Sequence, residues 1–288
     1  RVSARAAAVK AVFMVVLLKV SVWGSVPHER RFQEYLRRRG GFGCRPGLNA
    51  MMARSTLAQP GTDAYSHQHS ALLRRNAMLH VYGCPNTRSQ RVVWALEEVG
   101  AAYDYHLVNL LAGQGRQPDY QAINPGGKVP TLVDGELILS ESAAICTYLG
   151  DRFPDSGLTP PPGSVERARY NQWCFFILSE LEQPLWTMTK HRFALPAKRR
   201  VPAIFETAHW EWDVAARVLA TGLGERAFLV GERFTAADLL AAHTLAWARV
   251  FEMPLGSATL ETYADRLLER PARARAIERE QAAAPPVE

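Results

Sequence analysis

The apolar positions in the middle of the chain change period in a regular order. Residues 79–82 alternate as a short strand, and residues 91–99 place their apolar side chains on one face of a helix that Gly100 is suited to end. Residues 103–108 return to a strand pattern. Strand, helix and strand in this order predict two parallel strands joined by a right-handed crossover.

Two more short apolar strands follow at residues 131–133 and 137–139, with the hairpin signal Asp134-Gly135 between them. Pro130 stands at the start of the first strand, where a residue without an N–H suits an edge position. We expect a cis bond between Val129 and Pro130, which would turn the Val129 N–H and C=O away from the sheet. An extended peptide ligand could then pair with Val129 as one more strand.

The second strand of this hairpin leads directly into Ser140-Glu141-Ser142. Apolar side chains then recur at helical spacing, which predicts a helix from residue 141 to about residue 152. The first turn of a helix has free N–H groups and the positive end of the helix dipole. This helix start is therefore a candidate carboxylate site.

The second half of the chain shows helical periods and no convincing strand. Residues 154–163 contain a cluster of prolines, which predicts a stiff linker. A long helix is indicated around residues 170–181, and Pro184 should end or kink it.

Capping chemistry marks two later helix starts. The sequence from Thr235 to Asp238 is a capping box, and Phe234 and Leu239 are spaced for a hydrophobic staple. Pro271 suits the first position of a last helix, and residues 283–288 are typical of a frayed end.

The ordered run from Asn124 to Ser142 resembles the glutathione-binding half of the cytosolic, bacterial-type glutathione transferases. It combines Asn-Pro-Gly-Gly-Lys-Val-Pro-Thr-Leu, the hairpin and the Glu-Ser pair. The resemblance extends from about Met78 to the end of the chain. It implies a thioredoxin-like domain (β-α-β, then β-β-α) at residues 78–153 and an all-helical domain at residues 164–288. It also implies a homodimer.

The resemblance places the thiol chemistry before the first helix. Thr87 occupies the position of the catalytic Ser of the Ser-type families, Ser89 is a second hydroxyl, and a helix cap is the alternative role for each. Cys84 begins a Cys-Pro-Asn-Thr run similar to the glutaredoxin site, and its alternative is a loop cysteine packed under the sheet. Tyr82 is predicted to lie in the core.

The same resemblance suggests the substrate-binding residues. Glu141 and Ser142 would bind the γ-glutamyl end of glutathione, and Val129 with Pro130 its peptide backbone. Lys128 could pair with the glycyl carboxylate. Two loop residues could assist it or simply be solvated: Gln114 and Arg116. Four residues of the helical half are candidates for the electrophile site or for the core: Tyr170, Trp186, Met188 and His191.

Charge divides the chain unevenly. Residues 1–77 contain 13 Lys or Arg against 3 Asp or Glu, whereas the rest contains 21 against 25. The positive charge of the chain therefore comes from residues 1–77, and the globular part is mildly acidic. We predict no nucleic-acid partner for the globular part. The apolar run at residues 11–18 is too short to span a bilayer, so we predict no membrane partner. We expect residues 1–77 to be a disordered or dispensable extension, with a targeting sequence as the alternative.

Four cysteines without paired spacing favour a reducing, cytoplasmic location without disulfides or a metal. The main functional hypothesis is a transferase that adds the glutathione thiolate to small apolar electrophiles, with glutathione as co-substrate and no other cofactor. The alternatives are a Cys84-dependent thiol transferase or glutathione-lyase, and a non-catalytic interaction module.

Overall fold

The computed structural model describes residues 78–284. The predicted extension at residues 1–77 lies outside this range, and so do residues 285–288 of the predicted frayed end.

The first half of the described chain is a four-stranded sheet with three helices. The strands lie in the order β2-β1-β3-β4, with β1 parallel to β2 and β3 antiparallel to both β1 and β4. The predicted β-α-β and β-β-α units are confirmed. The elements are β1 Leu79–Gly83, α1 Ser89–Val99, β2 Tyr103–Leu107, α2 Pro118–Ile123, β3 Thr131–Asp134, β4 Leu137–Ser140 and α3 Ser142–Arg152.

Alternation along β1 decides which side chains enter the core. Leu79 and Val81 are fully buried with the apolar side chains of α1 and α3. Tyr82 points to the opposite face and is only half-buried, so its prediction as a core residue is wrong. Its ring stacks on His106 at 4.7 Å and approaches Tyr120 of α2 at 6.0 Å.

Two backbone features of the first half agree with the predictions from the sequence. Gly100 ends α1 in the left-handed region at φ 64°, and the Val129-Pro130 bond is cis. Helix α2 was not predicted, because six residues are too few to display an apolar period.

The second half of the described chain contains only helices and turns. The α-helices are α4 Val165–Phe176, α5 Glu182–Thr189, α6 Ile204–Leu223, α7 Ala236–Val250, α8 Ala258–Leu268 and α9 Pro271–Ala283. Pro271 is at the first position of α9, as predicted. The chain continues helically from α4 to α5 through a π-helical turn at Ile177–Leu181. Pro184 follows that turn and does not end the helix, because the π turn already interrupts the i→i−4 bonding that proline cannot join.

Helix α7 is the buried centre of the helical half, and the predicted capping box begins it. The Thr235 N–H donates to Asp238 Oδ2 over 2.9 Å. Asp238 is fully buried and also accepts from the Leu229 N–H and the Tyr263 hydroxyl, each over 2.8 Å. This one carboxylate therefore ties the preceding loop and α8 to the start of α7.

The two halves meet along α1 and α9. Arg270 at the start of α9 pairs with Glu98 at 2.6 Å, and Arg275 pairs with Glu97 at 2.7 Å. The segment predicted as a linker contains a short 3₁₀ turn at Pro154–Ser156. Its Leu158 is buried and accepts a hydrogen bond from the Ala236 N–H over 2.8 Å, so the segment packs against α7.

Candidate functional site

The loop between β1 and α1 brings the predicted thiol-chemistry residues together. The Thr87 hydroxyl donates to Cys84 O over 2.7 Å and lies 2.9 Å from Ser89 Oγ. Ser89 Oγ accepts from the Cys84 N–H over 3.0 Å and can donate to Cys84 O over 2.8 Å. Thr87 is half-buried, whereas Ser89 is fully buried. Thr87 is therefore the more accessible of the two hydroxyls.

Cys84 lies in a buried position that raises the pKa of its thiol. Its side chain is 7% exposed. Burial raises the pKa of its thiol, a backbone hydrogen bond at Leu110 lowers it, and the nearby Glu280 raises it further. A raised pKa leaves less thiolate at neutral pH, and the thiolate is the reactive form.

Glu280 of α9 reaches this loop and was not among the predicted site residues. Its Oε1 accepts from Ser89 Oγ over 2.8 Å and lies 3.4 Å from the Tyr105 hydroxyl. Oε2 is buried and has no hydrogen-bond partner among the described residues. A Glu near the end of an Arg-rich helix, with a second Glu two positions before it, gives no local signal of such a position.

The predicted carboxylate site is at the start of α3. Glu141 is exposed and adopts φ 70°, and Ser142 is buried. The Ile145 N–H bonds back to Glu141 O, so the three N–H groups before it have no partner within the helix. Arg91 Nη1 donates to Ser142 Oγ over 3.3 Å from below. Open N–H groups, a hydroxyl and a buried cation therefore converge at this helix start.

Arg91 belongs to an ionic cluster between the two halves of the chain. It is fully buried and pairs with Glu182, and it donates to Thr244 Oγ1 over 3.0 Å and to His243 Nδ1 over 3.1 Å. Burial favours a raised pKa for Glu182, but Arg91 and Arg88 outweigh it and leave the pKa lowered. No local pattern in the sequence indicates this cluster, because its members come from different helices.

Side-chain hydrogen bonds hold the backbone of the loop that contains the cis bond. Lys128 is exposed, but its carbonyl accepts from the Tyr120 hydroxyl over 2.6 Å and from Asn124 Nδ2 over 2.8 Å. A Cβ on Gly115 would lie 2.4 Å from Gly127 O, so the two backbones are in close contact. That contact brings the turn Gln114–Arg116, with both predicted assisting residues, beside Lys128.

The four candidates for the electrophile site differ in how far their side chains are buried. Tyr170 is fully buried and bonded to Thr147 Oγ1 over 2.8 Å, and Met188 is 2% exposed. Neither side chain is therefore open to a substrate in this structure. Trp186 is half-buried, and so is His191, which accepts from the Val201 N–H over 3.0 Å.

Arg88 connects Trp186 to a second ring, Trp247, which was not among the predicted site residues. Its guanidinium lies 4.7 Å from the Trp186 ring centroid and 5.2 Å from that of Trp247. It also pairs with Glu182 at 2.5 Å. The result is an aromatic wall with a fixed cation, one residue from Thr87.

Other kinds of site are absent from the described part of the chain. Between residues 78 and 284, no three His, Cys, Asp or Glu side chains group as metal ligands, and no helix could cross a membrane. Cys84, Cys146 and Cys174 are all free thiols.

The fold and this site define a class: a thioredoxin-like domain, with a cis-proline loop and an open helix start, joined to a helical domain. Two family models match the chain. The glutathione S-transferase N-terminal domain matches residues 78–158, and the C-terminal domain matches residues 191–271.

Curated relatives agree with the family models. Glutathione S-transferase F10 of Arabidopsis thaliana is 30% identical over 64% of this chain and 85% of its own length. Glutathione S-transferase GST-4.5 of Xanthomonas campestris is 30% identical over 57% of this chain and 81% of its own length.

Solved structures agree as well. A glutathione transferase of Methylococcus capsulatus is 27% identical with a TM-score of 0.64, over 71% of this chain and all of that one. Glutathione transferase URE2P6 of Phanerochaete chrysosporium, in complex with oxidized glutathione, is 26% identical with a TM-score of 0.62, over 73% of this chain and 99% of that one. The chain belongs to the glutathione S-transferase family, and it is an enzyme of that class.

Proposed function

We propose that this enzyme binds glutathione across the edge formed by the cis-proline loop and the start of α3. The peptide backbone of glutathione pairs with Val129, and its γ-glutamyl carboxylate is bound by Ser142 and the free N–H groups of α3. Glu141 faces the γ-glutamyl ammonium group. Lys128 pairs with the glycyl carboxylate, and the turn Gln114–Arg116 assists it. The observation that carries the proposal is the buried Ser142 at an open helix start.

The chemical step is addition of the glutathione thiolate to an electrophile. Thr87 donates a hydrogen bond to the sulfur beside the start of α1, where the helix dipole also favours an anion. The sulfur loses its proton to solvent and forms a C–S bond to an activated double bond of the electrophile. The π bond breaks, and its electron pair takes up a proton from solvent. The greater exposure of Thr87 over Ser89, and the raised pKa of Cys84, support this assignment.

The electrophile is a small apolar molecule bound between the domains. We assign its aromatic wall to Trp186 and Trp247, with Arg88 between them. His191 lies further along the same helical segment. An aromatic electrophile would stack on this wall.

We also infer a cytoplasmic homodimer. Three apolar side chains are exposed on the sheet edge and on α4: Leu137, Ile138 and Phe175, at 38%, 49% and 72%. Such exposure is typical of a surface that a partner covers. The free thiols of the described residues fit a reducing compartment.

The test exchanges the candidate donor. Thr87→Val should raise the apparent pKa of bound glutathione and reduce conjugation of a model electrophile by about tenfold or more, because one donor to the sulfur is lost. Thr87→Ser, which keeps a hydroxyl, is the matched control and should retain most of the activity. Thiolate absorbance and steady-state rates measure the two effects.

A parallel Cys84→Ser variant separates the alternatives. It should keep conjugating activity. A Cys84→Ser protein that loses disulfide turnover, together with a glutathione adduct on the unmodified protein by mass spectrometry, would support the thiol-transferase instead. An enzyme that glutathione-agarose does not retain would favour the non-catalytic module.

A further inference from the structure

Glu280 is a buried acid in an unusual position. It is 1% exposed, it lies on α9 near the end of the described chain, and its Oε1 lies 2.8 Å from Ser89 Oγ. No cation faces it. The elements packed against it present Ser89 from α1, Cys84 from the preceding loop, and Tyr103 and Tyr105 from β2.

The hydroxyl protons of Thr87 and Ser89 are too few to serve Cys84 O, Glu280 Oε1 and a glutathione sulfur at the same time. In the described chain, the donors to Cys84 O are the hydroxyls of Thr87 and Ser89, over 2.7 Å and 2.8 Å. Ser89 is also within 2.8 Å of Glu280 Oε1. A serine hydroxyl has one proton, so Ser89 can serve either Cys84 O or Glu280, but not both.

The protonation state of Glu280 decides this choice. When Glu280 is ionised, its charge attracts the Ser89 proton, and the Thr87 hydroxyl is then the donor left for the buried Cys84 O. When Glu280 is protonated, Oε1–H can donate to Ser89 Oγ, and the Ser89 proton turns to Cys84 O. The proton is satisfied on Oε1, because Oε2 has no partner among the described residues. Thr87 is then released from Cys84 O.

We propose that Glu280 is a positioning residue: its protonated form directs the Ser89 hydroxyl to Cys84 O and so leaves Thr87 free to donate to the glutathione sulfur. The proposal rests on the role of Thr87 proposed above. Glu280 does not touch the substrate, and it acts through Ser89.

Burial sets the pH at which this arrangement changes. It raises the pKa of Glu280 to about 8, against smaller lowering contributions from the hydrogen bonds of Ser89 and Tyr105. The protonated form therefore prevails at neutral pH, and ionisation begins above it. Since the folded pKa is raised, Glu280 also contributes stability at low pH that is lost as the pH rises through about 8.

The experiment compares the unmodified enzyme with Glu280→Gln, whose amide donates to Ser89 at every pH and carries no charge. The rate of conjugation at saturating glutathione and the apparent pKa of the bound thiol are measured from pH 6 to pH 9.5. Glu278→Gln is the matched control, because Glu278 is exposed on the same helix.

In the unmodified enzyme and in Glu278→Gln, the rate should fall as the pH passes about 8. In Glu280→Gln that fall should be absent, so the ratio of the rates at pH 9 and pH 6.5 should be several-fold higher. The unfolding free energy of Glu280→Gln should also increase relative to that of the unmodified enzyme between pH 6 and pH 8.5.

If the unmodified enzyme and Glu280→Gln both bind glutathione and have the same pH–rate profile, the role of Glu280 is refuted while the proposed function stands. A conjugation rate that Glu280→Gln lowers by the same factor at every pH would also refute the role of Glu280, because such a loss indicates a purely structural effect. If neither protein binds glutathione, the proposed function fails with it. Should Glu280→Gln not fold, Ser89→Ala provides the second test: it should be slow at every pH and should lack the alkaline fall, and a retained fall would refute the proposal.

Discussion

At the scale of single residues, Ser142 connects the substrate site to the interior. Its hydroxyl and N–H face the proposed γ-glutamyl carboxylate, while Arg91 approaches Oγ from below at 3.3 Å. The side chain is 5% exposed, so a carboxylate bound there would be largely shielded from water. A charge-assisted hydrogen bond is stronger in such surroundings than at an open surface.

Ser142→Ala should therefore weaken glutathione binding by about 1–2 kcal/mol, the value of one such hydrogen bond. Calorimetric titration measures this loss. Ser140→Ala is the control, because Ser140 is exposed on β4 just before the site, and it should bind glutathione normally. An unchanged dissociation constant for Ser142→Ala would remove the proposed carboxylate site.

Residues differ in how far sequence could predict them. The cis bond at Val129-Pro130 and the helix start at Ser142 depend on neighbours within a few positions, so the pattern predicts both. Glu280 contacts Ser89 across 191 positions, and Glu182 contacts Arg91 across 91. No local period or motif encodes such pairs, because each partner alone is an ordinary charged residue on a helix.

At the scale of elements, the start of α7 depends on one carboxylate. Asp238→Ala would leave the Leu229 N–H, the Thr235 N–H and the Tyr263 hydroxyl in a buried region without their acceptor. Each such loss costs about 1 kcal/mol or more, so the unfolding free energy should fall by roughly 3 kcal/mol or more.

Urea denaturation checks this prediction. Asp265→Ala is the control, since Asp265 is 62% exposed and pairs with Arg249 at the surface. An exposed pair contributes about 1 kcal/mol at most. Equal losses in the two variants would mean that the capping box does not stabilise α7 as described.

The elements also show where periodicity fails. Helix α7 was predicted from its capping box, whose residues are adjacent. Helix α2 is too short for a period, and the path through Pro184 depended on a π-helical turn that no residue type specifies. Sequence therefore predicted element types better than it predicted their continuity.

At the scale of the whole molecule, the exposed apolar edge of the sheet predicts association. Ile138→Asp should place a charge in the proposed dimer surface and halve the mass in solution, since a buried unpaired charge is unfavourable. Trp210→Ser, on α6, is the control, because Trp210 is also exposed, at 66%, and lies outside that surface. Light scattering after size-exclusion chromatography measures both masses. A dimer that survives Ile138→Asp would place the interface elsewhere.

A separate prediction is that residues 1–77 are dispensable for folding and for glutathione binding. The described residues contain a four-stranded sheet, both proposed substrate surfaces and a continuous core. A protein that begins at Met78 should therefore fold and bind glutathione with unchanged affinity. Thermal unfolding and calorimetric titration of the full chain and of the truncated protein would show whether residues 1–77 contribute to stability or to glutathione binding. A truncated protein that melts many degrees lower would contradict the prediction.

The charge pairs between the two halves have a consequence for engineering. Arg91 needs Glu182, and Glu97 and Glu98 need Arg275 and Arg270, so each half completes the ionic partners of the other. A hybrid that joins this sheet domain to the helical domain of another transferase would inherit an uncompensated cation beneath its substrate site, unless the incoming domain supplies a matching acid. Interchangeability of the domains is therefore limited most by the buried Arg91–Glu182 pair.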